Sequence, residues 1–317
     1  MGTGTRGSSK VTENWTAAQM PNLSGKRAIV TGANIGLGYQ TVRELARAGA
    51  EVVLACRSVE RGSAAAARIQ KELPGASLHV AQLDLSTLQS VRIFAEQVVA
   101  GGSLDILVNN AGIMALPTRQ TTADGFEMQL ATNHLGHFAL TGLLLPALVA
   151  SPSPRVVSVS SNAHKRGKMQ FDDLQMEHNY TPFGAYSQTK LANLLFAREL
   201  QRQSTEHGAS LVSIAAHPGL SSTAIVRELK GGIAFITNLA FRIVGQDDAA
   251  GALPQLYAAT APEATPGGYY GPSGWMEFKG PPAPAFVAPQ AQDPAAEKRL
   301  WSLSEELTGV TYPWPVR

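Results

Sequence analysis

Tyr186 and Lys190 stand four residues apart, a spacing that on a helix puts two side chains on one face, one turn apart. A phenol with an ordinary pKa of about 10 is a poor acid–base catalyst at neutral pH, and a neighbouring ammonium favours its phenolate. Lys190 is placed to supply that charge. Far upstream, Thr31-Gly32-Ala33-Asn34-Ile35-Gly36-Leu37-Gly38 follows the apolar run Ala28-Ile29-Val30. A glycine turn between a strand and a helix lets backbone approach a pyrophosphate, whose charge the helix N-terminus favours. The loop departs from the G-x-G-x-x-G spacing and gives a slightly longer turn. A dinucleotide cradle and a proton donor in one chain imply nicotinamide-dependent oxidoreduction.

Those residues need a frame, and the pattern supplies one. Short β-branched runs at 27–31, 51–55, 77–82, 104–109, 155–160, 210–216 and 268–271 alternate with helix-forming stretches at 37–48, 59–73, 87–99, 124–150 and 185–203. Repeated β-α order predicts a doubly wound parallel sheet of about seven strands with helices on both faces, in one domain. Right-handed crossovers then leave a switch point where ligands bind beyond the carboxyl ends of the strands. A tail over 1–24 precedes the domain at 25–280. The segment 281–317 is rich in Pro and Ala at first, and is expected to wrap as an extended stretch before a helix near 295–307.

Composition narrows the class. The 317 residues carry a net charge of +2 with no run of five or more like charges, which gives no footprint for nucleic acid or anionic membrane. Cys56 is the single cysteine, so neither an intramolecular disulfide nor a thiolate zinc cluster can form. The first twenty residues are polar, and the longest apolar stretch, 138–150, is too short to span a bilayer and contains Pro146. A cytoplasmic protein without an integral membrane segment is expected. His134, His137, His164 and His217 lack metal-ligand spacing, and no metal is expected.

The end of the second strand selects the cofactor. An acidic residue there would bind ribose hydroxyls, but the chain reads Ala55-Cys56-Arg57. Arg57 offers a positive fork for a 2′-phosphate, which favours NADP(H) over NAD(H). Asp84 and Asn110 follow the third and fourth strands, where the sheet edge would meet the adenine and its ribose.

Taken in order, Thr31 to Gly38, Asp84-Leu85, Asn109-Asn110-Ala111-Gly112, Asn133, Ser161, Tyr186-x-x-x-Lys190 and Pro218-Gly219 with Thr223 resemble the short-chain dehydrogenase/reductase family. The stretches Asn133-His134-Leu135-Gly136-His137-Phe138 and Ala185 to Asn193 are similar to its retinol-dehydrogenase-like branch and bacterial relatives. The resemblance implies a Rossmann-type fold, with Gly32, Asn34, Ile35, Gly36, Leu37, Gly38, Leu85, Ala111, Gly112, Pro218, Gly219 and Thr223 around the dinucleotide. It also implies that Lys190 binds the nicotinamide ribose, that Ser161 bonds the substrate oxygen, and that Asn133 holds a water in a proton relay. Ser160 is the adjacent rival to Ser161, and strand alternation sends the two to opposite faces. NADPH would then deliver hydride to a carbonyl carbon as Tyr186 protonates its oxygen, with alcohol oxidation as the reverse.

The insert 162–184 between Ser161 and Tyr186 is longer than in many family members and is expected to shape specificity. The apolar stretch 221–244 reads as a lid, with a packing or dimer-forming element or, less favoured by its few scattered basic residues, a membrane-surface contact as the alternatives, and lid and insert together favour a bulky lipophilic alcohol, ketone or aldehyde. Family precedent implies a homodimer or homotetramer through the helices bearing Asn133 and Tyr186, unless the C-terminal tail covers that face. Two other functions compete. Ser187-Gln188-Thr189-Lys190 spells the S-x-x-K of serine acyl hydrolases, without a K-T-G or G-x-S-x-G partner. A non-catalytic NADPH sensor would be expected to have lost its Tyr, Lys or Ser, and this chain has all three.

Overall fold

The computed structural model describes residues 14–220 and 246–315. Alternation along the strands builds two hydrophobic layers. On β1 (Arg27–Thr31), Ala28 and Val30 face one way and Ile29 the other; on β2 (Glu51–Cys56), Val52 and Leu54 oppose Val53 and Ala55. One layer is covered by α1 (Gly36–Arg47) and α2 (Val59–Glu72), the other by α3 (Leu88–Ala100). Both faces are buried, as an all-parallel sheet requires, and each fully buried Val, Leu or Ile contributes roughly 1.5–3 kcal/mol.

β3 (Leu78–Gln82), β4 (Ile106–Asn109), β5 (Arg155–Val159), β6 (Val212–Ala216) and β7 (Tyr269–Pro272) complete the parallel set, in the order β3-β2-β1-β4-β5-β6-β7. The order reverses between β1 and β4, which opens the crevice at their carboxyl ends. An eighth strand, β8 (Pro282–Pro284), runs antiparallel to β7 inside the segment expected to be extended. Its register explains how two prolines are tolerated. Ser273 N–H donates to Pro281 O and Ala285 N–H to Tyr269 O, so the odd-numbered residues face β7 while Pro282 and Pro284 face outward.

The helix expected over 124–150 is broken into α4 (Met128–Leu130), a π-helical turn (Ala131–Leu135), α5 (Gly136–Leu143) and α6 (Leu145–Val149). The break before α6 has a visible local cause, since Pro146 lacks the N–H needed to continue α5; at Gly136, where the backbone stays helical, a Cβ would lie 2.4 Å from the Leu85 carbonyl, so the backbones touch there. α7 (Pro182–Glu206) begins earlier than expected because Thr181 caps it, accepting from Gly184 N–H with Pro182 in the first turn. α8 (Asp248–Thr260) joins α1 on the first face. α9 (Pro294–Thr308) packs on α7, ending at Gly309 with φ 61°. The stretch read as a lid, 221–244, lies outside the described residues, as does Thr223.

Candidate active site

The carboxyl ends of the central strands frame one cavity of about 1070 Å³. At the β1 end, the turn after Thr31 brings Gly32, Asn34, Ile35, Gly36, Leu37 and Gly38 onto the wall. Gly32 and Gly36 have φ near +65° and +62°, a region open to glycine without strain. A Cβ on Gly38 would sit 2.5 Å from the Gly32 carbonyl and 2.7 Å from Asn110 Nδ2, so the turn closes only with bare backbone. Such a cradle fits a pyrophosphate.

Arg57 follows β2 on the same wall, exposed and without a bonded partner among the described residues. Beside it stands Arg61, one turn into α2, equally exposed and equally directed to the cavity. Sequence reasoning passed over Arg61, although its four-residue spacing from Arg57 across the Ser58 N-cap was the available signal. Asp84, Leu85, Asn110, Ala111 and Gly112 line the next part. The Asp84 carboxylate accepts from Ser86 N–H and Oγ–H. Asn110 Nδ2 donates to Thr31 O at 2.7 Å, and the Asn110 and Ala111 amides both donate to Thr31 Oγ1 at 2.9 Å.

Ser161, Tyr186 and Lys190 meet at the far end. Ser160 is buried, and its hydroxyl donates to Lys190 O at 2.7 Å, whereas Ser161 is half-buried on the wall and accepts from Ala163 N–H. Lys190 is 4% exposed; its Nζ donates to Val159 O at 3.1 Å and lies 5.6 Å from the Tyr186 ring centre. Burial holds the ammonium down to about 8. The expected depression of the phenol by Lys190 is not what this environment gives: burial pushes Tyr186 up, and only the Ser161 hydroxyl opposes it. The S-x-x-K serine, Ser187, is buried on α7 and does not line the cavity.

Asn133, fully buried in the π-helical turn, has its side chain committed to neighbours. Oδ1 accepts from Ile113 N–H at 2.8 Å, and Nδ2 donates to Ile113 O and Thr189 Oγ1. It thereby pins the loop that carries Gly112, whose own Cβ would approach Lys190 Nζ to 3.5 Å.

Pro218 and Gly219 form the opposite lip, and the chain around them carries a buried polar cluster that no sequence motif marks. Gly219 N–H donates to His217 Nδ1, and His217 Nε2 lies 3.4 Å from Glu277 Oε2. Lys165 Nζ donates to the same oxygen at 2.8 Å, while Phe286 N–H donates to Oε1. Burial works to raise the Glu277 carboxyl, but His217, Lys165 and the Phe286 amide outweigh it and hold it at about 2. Met276 and Glu277 both have left-handed φ, 50° and 59°, which turns the carboxylate inward and leaves Met276 on the cavity wall. No sequence signal marks a left-handed Met-Glu pair.

The insert 162–184 packs against the loop after β4. Tyr180 O–H donates to Leu116 O at 2.8 Å, and Phe183 lies 6.0 Å from the Tyr186 ring, 49% exposed at the cavity mouth. Among the described residues no cluster of His, Cys, Asp and Glu could hold a metal, and no helix is long and apolar enough to cross a membrane.

Comparison with known proteins accords with this arrangement. The family model described as short chain dehydrogenase matches residues 26–233. Retinol dehydrogenase 12 of Bos taurus is 41% identical over 92% of this chain and 88% of its own, and human retinol dehydrogenase 13 is 41% identical over 92% and 87%. Among solved structures, an uncharacterized protein from Mycobacterium paratuberculosis is 42% identical, with a TM-score of 0.79 over 95% of this chain and 99% of that one. A protein described as an NAD(P)-dependent gluconate 5-dehydrogenase from Beutenbergia cavernae, with bound NADP, is 25% identical, with a TM-score of 0.62 over 78% and 95%. A glycine cradle at the sheet's switch point and a Tyr-Lys pair across from it are thus carried by a chain that belongs to the short-chain dehydrogenase family, in its retinol-dehydrogenase-like branch, whose members bind NAD(P)(H) and interconvert alcohols and carbonyls.

Proposed function

We propose that this chain is an NADP(H)-dependent oxidoreductase that interconverts a lipophilic alcohol and its ketone or aldehyde. The observation that carries this reading is a single cavity with Arg57 and Arg61 on one side and Ser161, Tyr186 and Lys190 on the other. Three inter-strand steps separate the β2 and β5 ends in the sheet order. At about 4.8 Å each, that is roughly 14 Å, the span of an extended dinucleotide.

The 2′-phosphate is assigned to the Arg57–Arg61 fork at the α2 N-terminus, where two guanidinium groups and unpaired amides favour an anion. Thr223 is assigned to the cofactor's nicotinamide end with Pro218 and Gly219. When bound, the nicotinamide supplies or accepts the hydride. Tyr186 gives a proton to the substrate oxygen in reduction and takes it back in oxidation. Its raised pKa keeps the phenol protonated at neutral pH, which suits the reductive direction. Ser161 donates a hydrogen bond to the same oxygen. Lys190 holds the ribose and keeps positive charge beside the phenol. Asn133 is assigned the water of a proton relay between Lys190 and solvent.

Substrate class follows from the wall, where Met114, Leu116, Met128, Phe183, Met276 and Phe278 offer a soft apolar lining. The lid role of 221–244 belongs to the same reading. Oligomerisation through the helices bearing Asn133 and Tyr186 has less support than a monomer, because α9 sits on that face: His134 Nε2 meets Ser304 Oγ at 2.9 Å, and Phe138 packs on Trp301 at 5.1 Å. A reducing, cytoplasmic setting fits the lone buried Cys56.

The test is NADPH consumption with a panel running from small polar aldehydes to retinal, steroid ketones and aryl ketones, with Tyr186→Phe as blank. Turnover at the lipophilic end that the variant loses, with NADPH binding kept, is expected. Turnover by the variant would remove Tyr186 from its role; tight NADPH binding with no turnover at all would favour a sensor.

A further inference from the structure

His137 is not among the residues that any reading of the site has used. It lies on α5, 2% exposed, and spans between two elements of the cofactor wall. Nδ1 is 3.1 Å from Asn133 O, and Nε2 is 2.9 Å from Thr31 Oγ1. A carbonyl oxygen can only accept, so the ring proton must be on Nδ1. Burial, with Lys190 and His134 as the charged and titratable groups nearby, holds the imidazole down to about 3, so the ring is neutral in ordinary buffers. Nε2 is then a pure acceptor.

That fixes the Thr31 hydroxyl. Its one proton goes to Nε2, and its two lone pairs remain for the Asn110 and Ala111 amides, each at 2.9 Å. Among the described residues, the only other acceptor within reach of that proton is Val108 O at 3.4 Å. Removing His137 leaves the hydroxyl without a good acceptor; inverting the tautomer would aim an N–H at an oxygen already accepting two amides. Asn133, four residues earlier, grips Ile113 on the same loop through its side chain. One helical turn therefore holds both ends of the 110–113 wall.

We propose that His137 is a positioning residue for the dinucleotide wall, acting through Thr31: as an Nδ1-protonated acceptor it locks the hydroxyl so that Asn110 and Ala111 present a fixed backbone to the cofactor. This rests on the dinucleotide reading above. It assigns His137 no contact with cofactor or substrate.

Two measurements test it. The first needs no dinucleotide: long-range proton–nitrogen NMR on histidine-labelled protein, with His137→Gln used to assign the signal, should show a neutral Nδ1–H ring that stays neutral to pH 5. An Nε2–H or charged ring would overturn the proposal. The second is NADPH and NADH binding by fluorescence to wild type, His137→Gln, His137→Leu, Thr31→Val and the Thr31→Val/His137→Leu double variant. His137→Leu should weaken both dinucleotides by about tenfold, one lost hydrogen bond's worth, and Gln, which keeps an acceptor near the Nε2 position, should recover most of that. The double variant should bind no worse than Thr31→Val alone, because the histidine has nothing left to orient. Additive losses would overturn the proposal, since a merely structural histidine would weaken binding whether or not Thr31 kept its hydroxyl. Should His137→Leu fail to fold, the Gln comparison and the tautomer decide. Wild type binding neither dinucleotide would instead overturn the cofactor reading, while the ring's tautomer would still report the buttress.

Discussion

At the scale of single residues, charge and burial set the chemistry. Arg57 and Arg61 are exposed on the cavity wall and have no ion-pair partner among the described residues. Charge-assisted bonds to a phosphate are worth about 1.5–3 kcal/mol each, so Arg57→Ala and Arg61→Ala should each weaken NADPH about tenfold or more and leave NADH within about threefold. Comparing Michaelis constants for the two cofactors checks this, and equal losses on both would remove the phosphate assignment. Lys190 makes a second prediction. Its pKa is held to about 8 by burial, so its positive charge is present below that pH and lost above it. Carbonyl reduction should therefore be level through neutral pH and fall as pH rises through about 8; a rate still level near pH 10 would deny the ammonium a part. Much of this was legible beforehand, because Tyr186, Lys190 and Arg57 announce themselves by type and position. Arg61 was overlooked. His137 and Glu277 were not legible, since their importance lies in which distant atoms they touch.

At the scale of elements, the helical and strand periods located nearly every segment, and the misses have physical causes. The break before α6 answers to Pro146, which can be read from one sequence, whereas the close contact of Gly136 with Leu85 O cannot. β8 was hidden because prolines argue against a strand until register shows which way they point. The turn at 274–280 is the most consequential element that no pattern marked, for it carries Glu277 between the Ser161 loop and the Pro218 lip. A carboxyl at about 2 in the fold and near 4.5 when unfolded contributes roughly 3 kcal/mol at neutral pH, all of it present above 4.5 and lost as pH falls towards 2. Glu277→Gln should be less stable at pH 7 and lose less on acidification. Urea unfolding midpoints between pH 7 and 2 test this, and parallel losses in the two proteins would contradict it.

At the scale of the whole molecule, the parallel sheet and its switch point followed from β-α alternation, but the use made of the C-terminal segment did not. Its composition suggested an extended wrapping stretch and then a helix, but not that the stretch closes one side of the sheet or that the helix, α9, lies over the helices that carry Asn133 and Tyr186. The closing strand has a consequence beyond catalysis. At the two positions whose backbone turns away from β7, the buried Pro282 and half-buried Pro284, there is no amide hydrogen, so this edge presents no donor to a docking strand there. A chain of this kind should resist stacking edge to edge when concentrated or warmed. Pro282→Val with Pro284→Val would restore the donors, and faster thioflavin-positive aggregation on heating is the expected result; an unchanged rate would mean that some other feature guards the rim. The two prolines thus act as a colloidal safeguard at the β8 edge, one of the two edges of the sheet, the other being β3.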